Sequence, residues 1–488
     1  MKKELENLKI NPADIKRRVN DTLNADLRER KLYMKHKVFK TVLAATLITA
    51  VTAVSAFAVS PAGQEAISSI IAYFRNDKAT EMTSIEELAK YNREIGKSVS
   101  KDGITLTLDN VAADDNFIHV FYTIKSDAVP FYEGESTMSA AYSNMINMNM
   151  DVCCLINGEL AGFGTNHNTS DGYFVDNYTY KAAEKYNIAL KEIPDTFRVE
   201  LLGEIITRDY KERSSAFRKL YTDNYNEITD EEKAEIWYIS ADVDKSAVKV
   251  ETVTKKINTR LPWSGATVEK AVFSPFGNQL VVSTPAGIEG GAAMGENFAL
   301  YDEKGICLDI LNTDLCSSED GSSRNAFEFL KADKDTKQLK FVPVSISKHG
   351  DSNISEQKIG TYPLTYKVNR NGSVVVTDVR ISDGQIEIDY YKDGFVMYDP
   401  GFVLTDDNGN NAEPGGKLGC TLYTDVHYNT SSYTARYVYG KYDENGKPIP
   451  MDDSVSAQAL REKFTTLGVF EQMYFELDYD NAVTVNLE

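Results

Sequence analysis

An uncharged apolar run near the amino end is the clearest pattern of hydrophobic and polar positions in the chain. From Thr41 to Val59 the sequence reads TVLAATLITAVTAVSAFAV, about nineteen residues without a charge, which is the length that a helix needs to cross a bilayer core. Lysines crowd the side that precedes this run, whereas the segment after it, SPAGQEAISS, has one acid and no base. By the positive-inside rule, the pattern predicts a transmembrane helix over residues 41–59 with a cytoplasmic amino terminus and an extracellular carboxyl-terminal bulk.

A cleaved signal peptide is the alternative interpretation of this run. Ala56-Phe57-Ala58 fits the small-x-small cleavage pattern, and Ser60-Pro61 follows it. The leading segment of about forty residues is much longer than an ordinary n-region, and the apolar run is longer than an ordinary h-region. We therefore expect an anchor, and both interpretations export the rest of the chain.

The arm of residues 1–40 has the pattern of an amphipathic helix. Asn11-Pro12 is typical of a helix start, and apolar residues then recur at steps of four. This stripe consists of Ile15, Val19, Leu23 and Leu27. A lone helix of this size cannot bury an apolar face by itself, so one interpretation is that the stripe binds a groove of a cytosolic partner. The other is a helix that lies on the membrane surface or continues the transmembrane helix.

Charge separates the arm from the remainder of the chain. The net charge is -20, but residues 1–40 contain 12 Lys and Arg against 6 Asp and Glu, which gives +6 and leaves -26 for the rest. Cations near a membrane surface are attracted to anionic lipid headgroups. An acidic bulk repels phosphates, so we expect lipid contact for the arm and no nucleic-acid binding by the large part.

The apolar period changes from helical to alternating after the membrane run. Residues 60–95 predict a juxtamembrane helical stalk of two short helices, the second opened by a capping box of Ser84 and Glu87. Beyond Gly96 a glycine, an alternating strand, a turn and a second alternating strand recur three times. These predicted hairpins begin at Gly103, Gly265 and Gly372. Such a hairpin is typical of the opening of a β-sandwich module.

The spacing of the hairpins predicts three outer domains. Their expected ranges are 96–250, 251–362 and 363–488, and the fold class is mainly β. The first domain also contains segments with helical composition, near Thr179–Lys191 and Thr229–Ile236, so we expect it to be α+β rather than a pure sandwich.

The order of these elements resembles a known family. A basic helix, an apolar run, Ser-Pro-Ala, an Ile-Ile-Tyr-Phe helix and a Gly-Ile-Thr-Leu-Thr-Leu strand follow one another. Over roughly residues 35–250 this order is similar to the domain-of-unknown-function family numbered forty-one seventy-nine, from Gram-positive bacteria. Proteins of that family often resemble membrane anti-sigma factors encoded beside extracytoplasmic-function sigma factors. The chain from Lys255 on resembles the immunoglobulin-like domains that commonly follow, which implies tandem immunoglobulin-like β-sandwich modules.

Motifs for catalysis, metals and cofactors are not found in the sequence. Five histidines are scattered, and no HExxH, GxSxG, P-loop or dinucleotide fingerprint occurs. The oxygen-rich stretch Asp406–Asn411 lacks the ligand spacing of a calcium loop and predicts a hairpin turn instead. Tyr433, Tyr437 and Tyr439 share parity, so they predict one face of a strand more than a sugar platform. We expect no enzyme, no cofactor and no metal site.

Two functional hypotheses remain from the sequence. The first is a membrane regulator of the anti-sigma type, in which the outer domains sense an unknown extracellular ligand or envelope state and the cytoplasmic helix binds a sigma factor. The second is a surface adhesion or wall-binding protein without a cytosolic partner. The five cysteines show no metal spacing, and a Cys307–Cys316 disulfide is an alternative to free thiols in strands.

Overall fold

The computed structural model describes most of the chain from residue 61 on. The described residues are 61–73, 85–127, 130–131, 149–161, 169–206, 214–220, 228–249, 251–287, 298–317, 320–346, 353–397, 399–407, 418–428, 430–442, 448–449 and 455–487. The chain divides into two compact units, 1–64 and 65–488. Three β-sandwiches lie in the second unit, and we call them modules 1, 2 and 3.

Module 1 follows two short helices, α1 (Pro61–Ile71) and α2 (Ile85–Tyr91). Its strands are β1 (Asn92–Lys101), β2 (Ile104–Ala113), β3 (Phe117–Ser126), β4 (Asn149–Ile156), β5 (Glu159–Leu160), β6 (Thr169–Asp176), β7 (Thr179–Asn187), β8 (Thr196–Ile206) and β9 (Trp237–Asp244). One sheet has the order β1-β2-β3-β7-β6 and the other β5-β4-β8-β9. Their inward residues, among them Leu106, Val120 and Leu201, form one buried hydrophobic cluster.

Module 1 also contains two helices between β8 and β9. These are α3 (Ser215–Leu220) and α4 (Asp230–Glu235). Thr229 caps α4 and forms a capping box with Glu232, which confirms the helix predicted near Thr229–Ile236. Phe217 of α3 is buried in a small cluster with Leu202 of β8.

Module 2 repeats the first sheet of module 1. After a 3-10 turn at Ser246–Val248 come β10 (Val253–Arg260), β11 (Thr267–Phe273), β12 (Asn278–Thr284), β13 (Phe298–Asp302), β14 (Cys307–Leu308), β15 (Ile310–Ser317), β16 (Ser323–Phe329) and β17 (Gln338–Ile346). The first sheet has the order β10-β11-β12-β16-β15, and β13, β14 and β17 belong to the facing sheet. Phe273, Phe298 and Phe327 are buried between the two sheets.

Module 3 contains the next nine strands and one helix. They are β18 (Ile354–Lys358), β19 (Leu364–Lys367), β20 (Gly372–Ser382), β21 (Gln385–Gly394), β22 (Phe402–Thr405), β23 (Leu418–His427), β24 (Ser432–Tyr442), β25 (Pro448–Ile449), α5 (Ala457–Lys463) and β26 (Thr466–Phe470). The larger sheet has the order β19-β20-β21-β24-β23, and the smaller β18-β26-β22. Two further strands, β27 (Phe475–Leu477) and β28 (Val483–Asn486), pair with β17 of module 2.

The three predicted hairpins are confirmed as β2–β3, β11–β12 and β20–β21. Each hairpin has one register shift in its first strand, at Asp109, Glu269 and Thr377. A bulge of this kind inserts one unpaired residue and turns the face of the strand. The alternating pattern of the sequence therefore identifies the strand, and the extra residue explains why its parity changes partway.

The helix predicted near Thr179–Lys191 is wrong, because residues 179–187 form β7 between β3 and β6. The segment TYKAAEKYN is rich in Ala, Glu and Lys, which favour helices as isolated residues. In the sheet its small alanines pack closely, with Ala182 in the core of module 1. Tertiary pairing thus overrides local propensity.

The predicted boundary at 362 divides the strands differently from the observed sheets. β18 lies within the predicted second domain but pairs in module 3, whereas β27 and β28 lie within the predicted third domain but pair in module 2. The physical reason is the distribution of apolar residues: the core of module 2 includes Val485 and Leu487, whereas β18, with sequence ISEQK, is mostly polar.

Candidate functional site: the stalk dock and the module joints

The end of α1 is attached to the outer face of the first sheet of module 1. Ile70 is fully buried and Tyr73 is 4% exposed. The Tyr73 ring lies 5.3 Å from the Phe121 ring between centroids, and the Lys181 ammonium lies over the Tyr73 ring, 4.5 Å from its centroid. We call Ile70, Tyr73, Phe121, Lys181 and Asp109 the stalk dock.

Asp109 is the polar anchor of the stalk dock. It is the extra residue of the β2 bulge, its carboxylate accepts a hydrogen bond from Thr123 at 2.6 Å, and it lies close enough to the Tyr73 hydroxyl to act on it electrostatically. Burial raises the pKa of the Asp109 carboxyl, and burial together with the Asp109 charge raises the pKa of Tyr73. The bulge therefore supplies a half-buried carboxylate beside the tyrosine at the end of the stalk helix.

Helix α2 covers a neighbouring part of the same outer face. Leu88 is fully buried, and Tyr91 contacts Phe276 of module 2 with 6.1 Å between ring centroids. Lys90 forms an ion pair with Glu251 at 2.6 Å. One carboxylate oxygen of Glu87 is buried without a hydrogen-bond partner among the described residues, and burial raises the pKa of Glu87 to about 6.

Because Glu87 is largely buried, we expect the docking of α2 to weaken as the pH rises from about 4.5 to above 6. Its folded pKa of about 6 exceeds its ordinary value of 4.5, so the folded state binds the proton more tightly and loses stability as that proton leaves. A shift of this size corresponds to about 2 kcal/mol. We expect Glu87→Gln to raise the free energy of unfolding by up to that amount at pH 7.5 and to change little at pH 4.

Chemical denaturation of the full chain in detergent at both pH values measures the Glu87 effect. Glu86→Gln is the matched control, because Glu86 precedes Glu87 in the same helix and has no buried carboxylate oxygen that lacks a hydrogen-bond partner. An equal gain for Glu87→Gln at pH 4 and pH 7.5 would contradict the prediction.

A single buried lysine joins all three modules. Lys185 of β7 forms an ion pair with Glu328 of β16 at 2.6 Å, and the two side chains are 4% and 2% exposed. The Lys185 ammonium also donates to the Tyr428 hydroxyl of module 3 at 2.6 Å, and that hydroxyl donates to Glu328 at 2.7 Å. The Phe117 ring centroid lies 3.9 Å from the ammonium. We call Lys185, Glu328 and Tyr428 the three-module joint.

Backbone amides and one aspartate form the adjoining seam between modules 1 and 2. Asp114 accepts hydrogen bonds from the amides of Asn116 and Phe117 at 2.7 Å each and from the amide of Phe276 at 2.9 Å. The Asn116 side chain donates across the seam to Gly277 at 2.8 Å. Because these bonds join side chains of module 1 to the backbone of module 2, the two modules meet in a defined orientation.

A second polar cluster joins modules 2 and 3. Asp309 accepts hydrogen bonds from Lys331 at 2.8 Å and from the Tyr433 hydroxyl at 2.9 Å. Lys331 also donates to the carbonyl of Lys392 in β21 at 2.7 Å, and burial lowers the pKa of the Lys392 ammonium. The three modules are thus connected by buried, directional contacts.

The predicted partner-binding residues of the cytoplasmic arm cannot be compared with this geometry. Ile15, Val19, Leu23 and Leu27, like the apolar run 41–59, lie outside the described residues. Among the helices of the described part, none combines the length and apolar character of a bilayer-crossing segment.

The candidate chemical groups of the sequence lie apart from one another. Cys307 is in β14 and Cys316 in β15, and both are free thiols. The described residues contain no cluster of three His, Cys, Asp or Glu side chains arranged for a metal. Tyr433 and Tyr439 are buried in the core of module 3 with Tyr437 packed against it, which confirms the predicted strand face.

The joint residues were missed by sequence reasoning, although a signal was present. Glu328 stands between Phe327 and Phe329 in the run Ala326–Leu330, and a charge inside an apolar strand is costly unless it is paired. The sequence marks such a residue as having a partner, but nothing in the spacing indicates that the partner is Lys185.

One segment of the chain matches a known protein family. Residues 34–126 match the family described as "Domain of unknown function (DUF4179)". No curated protein matches. Among solved structures, "The crystal structure of the conserved domain protein from Bacillus anthracis" is similar at 12% identity and a TM-score of 0.33, covering 55% of this chain and 82% of that one. The family match confirms the resemblance inferred from the order of elements. The similarity to this family is confined to residues 34–126.

Proposed function

We propose that this protein is a single-pass membrane regulator of the anti-sigma type. In this proposal residues 41–59 cross the membrane, the β modules lie outside the cell and respond to the state of the envelope, and the apolar stripe of the cytoplasmic arm binds a sigma factor. The bilayer and a sigma factor are the expected partners, and the outer ligand is an unidentified extracellular one.

The stalk dock is the observation that carries the proposal. The matched segment 34–126 contains the candidate membrane run, α1, α2 and β1–β3. Along the chain, only α1 separates the candidate membrane run from Tyr73, and Tyr73 is fixed to β2 and β3. A structural change in the first sheet would therefore reach the candidate membrane segment through Tyr73 and α1. A sensor requires such a connection, whereas a simple tether does not.

Photo-crosslinking in cells tests the cytoplasmic half of the proposal. A crosslinking amino acid at Val19 or Leu23 of the full chain is expected to trap one cytosolic protein, identified by mass spectrometry as a sigma factor. The same probe at Arg18, next to the stripe but off it, is the matched control and should trap much less. Leu23→Asp should reduce co-purification of the trapped protein at least tenfold.

Probes at Val19 and Leu23 that label only lipid would count against a sigma-factor partner and favour a helix on the membrane surface. Labelling of these positions from outside intact cells would reverse the proposed topology and remove the regulatory function with it.

A further inference from the structure

The facing sheets of the three modules differ in which strand completes them. In module 1, β9 is the strand that follows β8 along the chain, and it pairs with β8 over eight residue pairs. The equivalent of β8 is β17 in module 2 and β26 in module 3, because each follows the last strand of the first sheet and pairs with the strand equivalent to β4. The strand after each of them does not stay in its own module.

The strands that follow β17 and β26 have changed places. β18 leaves module 2 and pairs with β26, with Ile354 opposite Phe470 and Lys358 opposite Thr466. β27 and β28 leave module 3 and pair with β17, with Phe475 opposite Ile346 and Thr484 opposite Lys340. β18, which follows module 2 along the chain, completes the smaller sheet of module 3. β27 and β28, which follow module 3, complete the facing sheet of module 2.

The two crossing connections contact each other at Asn353 and Glu471. The amide of Glu471 donates to the carbonyl of Asn353 at 2.8 Å, and the Asn353 side chain donates to the Glu471 carboxylate at 3.3 Å. On one side of this contact lies the β18–β26 pair and on the other the β17–β27 pair. This contact therefore lies between the strand pair in module 3 and the strand pair in module 2.

Apolar residues favour the exchanged arrangement. Val485 and Leu487 are 7% and 3% exposed in the core of module 2. Phe475 is buried on the outer face of the same sheet, where its ring lies 6.2 Å from that of Phe395 in module 3. β18 has one large apolar residue, Ile354, which is 38% exposed. If β18 folded back onto β17, it would not replace the apolar surface that β27 and β28 bury.

We infer that modules 2 and 3 are a reciprocally strand-exchanged pair within one chain and unfold as a single cooperative unit. Neither module is complete without the other, because one sheet of each module includes a strand that the chain supplies from beyond the other module. This inference concerns the architecture of the outer region and does not depend on the proposed regulatory function.

Paired cysteines in the full chain distinguish the exchanged arrangement from its alternatives. Lys340→Cys with Thr484→Cys places two thiols on directly opposed residues of β17 and β28, where strand spacing suits a disulfide. Ser345→Cys with Ser355→Cys is the matched control, since these residues would face each other only if β18 returned to β17 as a hairpin. Linked peptides are identified by mass spectrometry.

The first cysteine pair is expected to close within monomers and the second to stay open. Closure of the Ser345 and Ser355 pair, or Lys340–Thr484 links found only between two chains, would overturn the inference.

Hydrogen exchange measures the cooperativity. Val485→Ala, in the core of module 2, should accelerate the slowest amides of β12 and of β21 by the same factor, at least tenfold, although β21 belongs to module 3. Thr484→Ala, exposed on the same strand, should leave both unchanged. Acceleration confined to β12 would show that the two modules unfold separately.

Discussion

Replacing Lys185 with methionine is expected to destabilise the outer region by about 3–5 kcal/mol, the usual cost of removing one partner of a buried ion pair. The Glu328 carboxylate, 2% exposed, would lose its counter-charge and keep only the Tyr428 hydroxyl. Methionine fills a similar volume, so the loss comes from the unpaired charge and not from a cavity. Because Lys185 contacts modules 2 and 3 as well as its own, the loss should affect all three.

Denaturant unfolding of the full chain in detergent measures the Lys185 effect. Lys125→Met is the matched control: Lys125 pairs with Asp127 at 3.5 Å, but both side chains are more than 60% exposed, and exposed pairs contribute at most about 1 kcal/mol. The double variant Lys185→Met with Glu328→Gln should recover more than half of the loss, since glutamine removes the charge and still accepts from Tyr428. A double variant as unstable as the single one would show that the charge is not the cause.

The local pattern of the sequence predicted strands and three hairpin pairs, whereas pairing between strands far apart in the sequence could not be predicted. Glycines followed by alternating apolar residues identified β2, β11 and β20 because a half-buried strand has a period of two. The same alternation states which face of a strand is buried but not which strand lies beside it. For this reason the sequence pattern does not predict the exchange of β18 with β27 and β28. It shows only that β18, with sequence ISEQK, is more polar than β27, with sequence FEL.

The candidate site was predicted only in outline. The sequence predicted a helical stalk over residues 60–95, and within it Ile70 is fully buried. The partners of Tyr73 were not predictable, because Asp109 reaches the outer face through a bulge and Lys181 comes from a segment with helical composition. Both depend on long-range pairing, in which tertiary contacts decide between alternatives of similar local preference.

Replacing Tyr73 with alanine is expected to release the end of α1 from module 1. The change removes the ring that contacts Phe121 and Lys181 and the hydroxyl on which the Asp109 charge acts. Truncating a buried aromatic side chain costs about 3–5 kcal/mol. If about 3 kcal/mol of this is lost from docking alone, the amides at the end of α1 should exchange roughly a hundredfold faster.

Ile71→Ala is the matched control for the stalk dock, because Ile71 is the last residue of α1, two positions before Tyr73, and is 38% exposed. It should leave hydrogen exchange in α1 and β3 nearly unchanged. Tyr73→Phe separates the two contributions: it keeps the ring contacts and loses only the hydroxyl beside Asp109, so we expect a smaller acceleration, about tenfold. Unchanged exchange of α1 in Tyr73→Ala would contradict the docking. If docking also transmits the state of the first sheet, Tyr73→Ala alone should change the output of the sigma factor trapped by the Val19 probe. Faster exchange without a change in output would retain the dock and reject its regulatory role.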